Sequence, residues 1–261
     1  MVNKNLLLPR EKYAEVSQQY GPSPFTFEIK NEKQVLFYFA ANHSHDSNNH
    51  QYPILREYWD RFLKATEGKE KVVLVEGGVR RIEKDEEVAV RRGSEGSLIT
   101  FLANKANVPV ISPDPSLEKL AEQFPDVSKE EVLLMRFINK VDSFQRHSLS
   151  GTFEDVMEDW CKQRRGMETW KDIDISLPNM EEIYKRVLGK DFDLKDNMNQ
   201  LADPNKTGTR MNEVATLLTD AREISIVSEI ERCWKEGKSI FAIFGSGHLI
   251  AQRPALEKLL I

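Results

Sequence analysis

The sequence predicts an α/β chain: a mostly parallel central sheet flanked by helices, with an all-helical lobe inserted into it. Three observations carry that expectation. The runs "KQVLFYFAA" (33–41), "KVVLVEGG" (71–78) and "SIFAIFG" (239–245) are short, continuously apolar and closed by polar or glycine residues, as in strands buried on both faces. Helical patterns separate them in strand–helix–strand order, which right-handed crossovers turn into a parallel sheet. From about 116 to 208 the strand signals stop and only helical patterns remain.

In chain order, "PFTFEIK" (24–30) alternates apolar and polar residues and predicts a hairpin with the 33–41 run, the second strand lying deeper. "YPILREYWDRFLKA" then repeats Ile54, Leu55, Tyr58, Trp59, Phe62 and Leu63 on one helical face. The 71–78 run is a buried strand ended by two glycines. "SEGSLITFLANKA" (94–106) reads as a helix with Ser94 at its N-cap, and "VPVISPDP" (108–115) as a strand broken by prolines. "LEKLAEQF", "KEEVLLMRFINKVDSFQRH", "FEDVMEDWCKQR" and "NMEEIYKRVLG" supply the helices of the lobe, and 190–210 reads as a polar loop. A long helix is expected from about Asn212 to Lys235, with Val214, Leu217, Leu218, Ala221, Ile224 and Val227 as its stripe and Gly237 as its stop. "RPALEKLL" reads as a short closing helix. The core is therefore expected to comprise 1–115 and 209–261, and the inserted lobe 116–208.

A chain of 261 residues, 40% apolar and 30% charged, has globular composition and can bury a core without covalent staples. Its net charge of −5, spread without blocks, argues against nucleic acid or an anionic membrane as partner. "VRR" (79–81) and "QRR" (163–165) read as solvated faces. Cys161 and Cys233 lie far apart without metal spacing and read as free thiols. The N-terminus has only three consecutive leucines, and no run approaches the roughly 18 apolar residues of a membrane helix. A soluble, cytoplasmic protein is expected.

In parallel sheets, ligands lie beyond the carboxyl ends of the strands. Those ends carry His43, His45 and Asp46 after the first run, Glu76 after the second, Asp114 after the third, and His248 behind Gly245-Ser246-Gly247 after the last. Glu95 opens a helix. Arg222 has Leu218 four residues before it and Ile226 four after, which puts a guanidinium on an apolar stripe. Imidazoles with carboxylates form a ligand set for a zinc-, manganese- or cobalt-like ion, and equally the apparatus of metal-free acid–base catalysis. Blander readings stand beside these. "NHSHDSNNH" can be a solvated turn, Asp114 a turn residue, Glu95 a favourable charge at a helix N-terminus, and Arg222 a snorkelling surface cation. Glu76 is the hardest to explain so, because it follows "VVLV" directly and a buried carboxylate needs a partner.

These motifs, in this order, resemble the TraB/TIKI superfamily, which also takes in ChaN-like haem-binding lipoproteins and erythromycin esterase-like proteins. "AANH" puts His43 in the first histidine place, with Ala40 where the family has glycine. "LVEGG" supplies Glu76, "TDAREISIVSEI" puts Arg222 in the arginine place, and "GSGH" supplies His248. The likeness covers about 34–114 and 210–260. It implies a hydrolase, an esterase or peptidase that is metal-dependent, acting on an ester, lactone or peptide bond of a small molecule or peptide. His43, His248 and Glu76 would bind a divalent ion or position water. Arg222 would hold a substrate carboxylate or oxyanion, with Gly245 and Gly247 also at the substrate. Glu95 and Asp114 would be further ligands or orienters of the histidines, and His45 and Asp46 secondary members. The helical lobe would roof the site. The alternative it implies is a non-catalytic haem- or metal-binding protein of the same fold.

Overall fold

The computed structural model describes residues 2–146 and 151–261. They fall into two compact units, one formed by the chain up to Pro115 with Arg222–Ile261, the other by Ser116–Ala221.

The first unit opens with helix α1 (Arg10–Ser17) and is built on five strands, β1 (Phe25–Lys30), β2 (Val35–Ala41), β3 (Lys71–Val75), β4 (Val110–Ile111) and β5 (Ser239–Gly245), in the order β1-β2-β5-β3-β4. Only β1 runs antiparallel, as the outer strand of the β1–β2 hairpin; the other pairs are parallel. The sheet is flanked by helices, so the architecture is α/β. Every residue of β2 and β5 is buried, which is why these strands read as unbroken apolar runs.

Strand periodicity divides those side chains between two cores. Phe37, Phe39, Val73, Val75, Phe241 and Ile243 pack against Leu55, Tyr58, Trp59 and Phe62 of α2 (Gln51–Ala65) and Leu98 and Ile99 of α3 (Glu86–Lys105). Leu36, Tyr38, Leu74, Ile240, Ala242 and Phe244 face the other way. They pack against Ile226, Val227 and Ile230 of α9 (Arg210–Lys235) and Leu249, Ala255 and Leu256 of α10 (Ser246–Leu260). The register pairs Ala41 with Gly245 and Val75 with Ile243, so β2, β5 and β3 end at one edge of the sheet.

Several elements differ from expectation. Ile54 is 41% exposed; the buried face of α2 turns instead through Leu55, Tyr58, Trp59 and Phe62. The third helix starts at Glu86, capped by Asp85, whose side chain accepts from the Val88 amide. Ser94 is not an N-cap but part of a kink with Gly93, at φ 52°. A Cβ on Gly93 would lie 2.0 Å from Ser97 Oγ, so any larger residue there would force the Ser97 side chain to move. The prolines leave β4 only two residues long. The last helix starts at Ser246 and continues through Pro254, so the segment expected as a short closing helix is its second half.

In the second unit α4 (Leu117–Ala121), α5 (Lys129–Arg146), α6 (Phe153–Arg165), α7 (Leu177–Leu188), the short α8 (Met198–Leu201) within the expected loop, and the first half of α9 enclose a separate core. Leu133, Leu134, Phe137, Ile138, Met157, Trp160, Met180 and Tyr184 are buried in it. The helical pattern expected to reach His147 is seen to Arg146; His147 lies outside the described residues. The boundary at 221 falls beyond the expected 208 because Met211, Val214, Ala215 and Leu218 of α9 join this core. Cys161 and Cys233 are buried free thiols. Among the described residues no helix is long and apolar enough to cross a membrane.

Candidate functional site

Beyond β2 the chain turns sharply at His43, whose φ of 24° lies in the left-handed region that non-glycine residues seldom adopt. Helix α2 holds this turn on both sides. Gln51 Oε1 accepts the Asn42 amide at 3.0 Å, and the Tyr52 hydroxyl donates to the Ser44 carbonyl. The turn carries the His43 ring to Glu95, with Nδ1 2.5 Å from Oε1, while Nε2 lies 3.4 Å from Glu76 Oε2. Glu95 is itself presented by the strained Ser94 and is buried, and its Oε2 has no hydrogen-bond partner among the described residues. Each such backbone departure costs on the order of 1–3 kcal/mol and persists only where the surroundings enforce it.

Glycine at 245 makes this approach sterically open: a Cβ there would lie 2.4 Å from His43 Nε2. The Gly245 amide donates to Glu76 Oε2 at 2.7 Å. The other oxygen of Glu76 accepts from Arg222 Nη2 at 2.9 Å and faces His248 Nε2 at 3.3 Å. Burial acts to raise the Glu76 pKa, but His248, Arg222 and His43 outweigh it and hold the carboxyl far below its usual range.

His248 sits in the first turn of α10 rather than in a loop. Its Nδ1 is 2.8 Å from Glu223 Oε1, and Gln252 Nε2 donates to Glu223 Oε2 at 2.5 Å. The Tyr38 hydroxyl donates to Gln252 Oε1 at 3.0 Å and completes the chain. Burial works to lower the His248 pKa, yet the Glu223 and Glu76 carboxylates push it up to about 10. His43 is also raised, first by its hydrogen bond to Glu95, against opposing burial. Its side chain remains 55% exposed, whereas that of His248 is 11% exposed. Arg222 is clamped by Asp114, Nε to Oδ1 at 2.6 Å and Nη2 to Oδ2 at 2.5 Å, and the Gly77 amide donates to Asp114 Oδ2 at 2.9 Å.

Seven of the expected residues thus come together: His43, Glu76, Glu95, Asp114, Arg222, Gly245 and His248. Asp114 reaches the group through Arg222, with no bond to either imidazole. Three do not join. His45 Nδ1 lies 3.1 Å from the Arg91 carbonyl, Asp46 accepts the Asn48 amide within its own turn, and a Cβ on Gly247 would meet the Tyr13 hydroxyl at 2.9 Å. Four members were not anticipated. Glu223, Gln252 and Tyr38 form the inner chain behind His248. Arg80 stands at the rim, donating through Nη1 to the Gly77 carbonyl at 2.9 Å, with Nη2 3.4 Å from the Glu76 carbonyl. The spacing of four between His248 and Gln252 is a weak helical signal, but nothing in the sequence brings Glu223 to them.

Among the described residues no group of three or more His, Cys, Asp or Glu is placed to hold a metal ion. The reason is visible in the bonding: the two Nε2 atoms face opposite oxygens of Glu76, which also take Arg222 and the Gly245 amide. In this arrangement the donors satisfy one another.

Comparison of the chain with protein-family models, with curated proteins and with solved structures returns no match.

Proposed function

We propose that the chain is a hydrolase in which His43, oriented by Glu95, activates water beside Glu76 and His248 to cleave an ester, lactone or peptide bond. One observation carries this reading: a strained turn holds a solvent-accessible imidazole with Nδ1 on a buried carboxylate and Nε2 beside Glu76. An oriented base whose partner fixes its tautomer is the arrangement general-base catalysis requires. The motif resemblance to the TraB/TIKI superfamily points to the same class.

In this mechanism neutral His43 takes a proton from water at Nε2 while Nδ1–H remains on Glu95. The hydroxide attacks the acyl carbon. The imidazolium then returns the proton to the departing alcohol or amine, so protons balance over the cycle. His248, held cationic by Glu223 and Glu76, and Arg222 supply fixed positive charge near the developing oxyanion. Such general-base assistance is worth roughly 10²–10⁴-fold. A soluble, cytoplasmic setting with a small-molecule or peptide substrate belongs to the same reading.

A second, ion-dependent reading is favoured by one specific feature. Both imidazoles carry a carboxylate on Nδ1, as metal-ligating histidines do, and their Nε2 atoms converge on Glu76. His43, His248 and Glu76 would hold the ion after giving up protons and rearranging around Glu76. A bound zinc-, manganese- or cobalt-like ion would lower the pKa of its water to about 7.

The test is a panel of ester, lactone and peptide substrates presented to chelator-treated full-length protein, with His43→Ala in parallel. Hydrolysis by the treated protein, lost in the variant with its circular dichroism unchanged, is the expected result. Activity restored only by added zinc, manganese or cobalt transfers the mechanism to the second reading. Hydrolysis retained by His43→Ala overturns both.

A further inference from the structure

A separate polar groove lies in the helical unit, between α5 and α6. Arg136, Lys140 and Ser143 of α5, at spacings of four and three, share one helical face. Trp160, Gln163 and Arg164 of α6 do the same, and together they line a cavity of about 590 Å³. The "QRR" stretch is therefore not simply a solvated face: Arg165 pairs with Glu158, while Arg164 folds into the groove.

The charges in this groove do not balance. Arg136 is engaged by both oxygens of Glu118, at 2.5 and 2.7 Å. Arg164 and Lys140 have no carboxylate partner among the described residues, and the only acid in the lining is the exposed Asp159. The half-buried Arg164 guanidinium lies 4.2 Å from the Trp160 ring centre and donates Nη1 to the Trp160 carbonyl at 3.2 Å. Burial, with Arg136 nearby, lowers its affinity for its proton, and Glu118, already engaged by Arg136, offsets this only in part. A partly desolvated cation beside a second cation is unfavourable unless an anion compensates it.

We propose that this groove is a binding site for a small anion of the phosphate or carboxylate class. Arg164 supplies a planar fork suited to two oxygens of one anionic group, and Lys140 a second positive charge. The Ser143 hydroxyl and the Gln163 amide offer hydrogen bonds to uncharged parts of the same molecule. The indole of Trp160, at the floor, reports occupancy through its fluorescence.

Titrating inorganic phosphate and, separately, citrate into the full-length protein while following tryptophan emission tests the site, and the two arms distinguish its sources. Saturable binding of at least one anion is expected, weakened about tenfold by Arg164→Gln, severalfold by Lys140→Gln, and unchanged by Lys162→Gln at an exposed position of α6. Trp160→Phe should remove the optical response while calorimetry still detects binding. If Arg164→Gln does not fold, Arg164→Lys, which keeps the charge and loses the fork, takes its place. Absence of saturable binding of either anion, or equal affinity in the Arg164 and Lys162 variants, overturns the proposal.

Discussion

The two histidines facing Glu76 stand on opposite kinds of backbone. His248 sits on a regular helix, buried, with carboxylates at both nitrogens and a chain of Gln252 and Tyr38 behind them. His43 stands on a left-handed turn, largely exposed, with one nitrogen on Glu95 and the other beside Glu76. The helical position needs no strain, and its imidazole is locked as a cation. The turn position stores strain, and its imidazole can exchange protons with whatever enters. On the proposed hydrolase reading, His248 fixes charge and His43 handles it.

The comparison breaks if the two alanine variants behave alike. His248→Ala leaves the buried Glu223 without its cation and is expected to destabilise the protein by about 3–5 kcal/mol in denaturant unfolding. His43→Ala removes a largely exposed ring but strips buried Glu95 of its hydrogen-bond partner, so it is expected to cost about 1–3 kcal/mol, less than His248→Ala, while lowering hydrolysis by about 10²–10⁴-fold. Gly245→Ala comes next. Its new methyl must displace the His43 ring, and a shift of about 1 Å at a reacting group costs on the order of 10²-fold in rate.

Glu95→Gln sharpens the contrast more gently. The Glu95 hydrogen bond is what raises the His43 pKa, so its loss lowers that pKa. The base form of His43 is present above its pKa. The acid limb of the pH–rate profile should therefore move to lower pH in the variant, with a rate loss of about tenfold from poorer ring orientation. The smallest effect concerns the backbone. Ser94→Gly relieves strain of about 1–3 kcal/mol at a positive φ against about 0.5–1 kcal/mol of added unfolded-chain entropy, so a net gain of about 1 kcal/mol is expected in thermal unfolding, provided Glu95 keeps its place.

Parts of this site are readable along the chain. Strands buried on both faces write themselves as unbroken apolar runs, so the ends of β2, β3 and β5, and with them His43, Glu76 and His248, follow from sequence. Glu76 stands out because a carboxylate directly after "VVLV" has few innocent places to go. Glu223 does not stand out: a glutamate on a long helix looks solvated until α9 is packed against α10. The first half of α3 is hidden because "EEVAVRR" looks like surface and Gly93 like a break. Pro254 similarly disguises the middle of α10 as its beginning. What remains illegible is the exact facing of side chains across elements, which strained residues such as His43 and Ser94 decide locally.

The division of labour between the two rings is tested most directly by an NMR pH titration of the histidine Cε1 protons, assigned by single His→Gln variants. His248 should stay protonated until about pH 10, and His43 should lose its proton earlier, above the ordinary imidazole value of 6.5. Glu95→Gln should lower the midpoint of His43 and leave that of His248 in place. Two rings titrating together near the ordinary value, or a Glu95 substitution that moves both equally, would contradict the account.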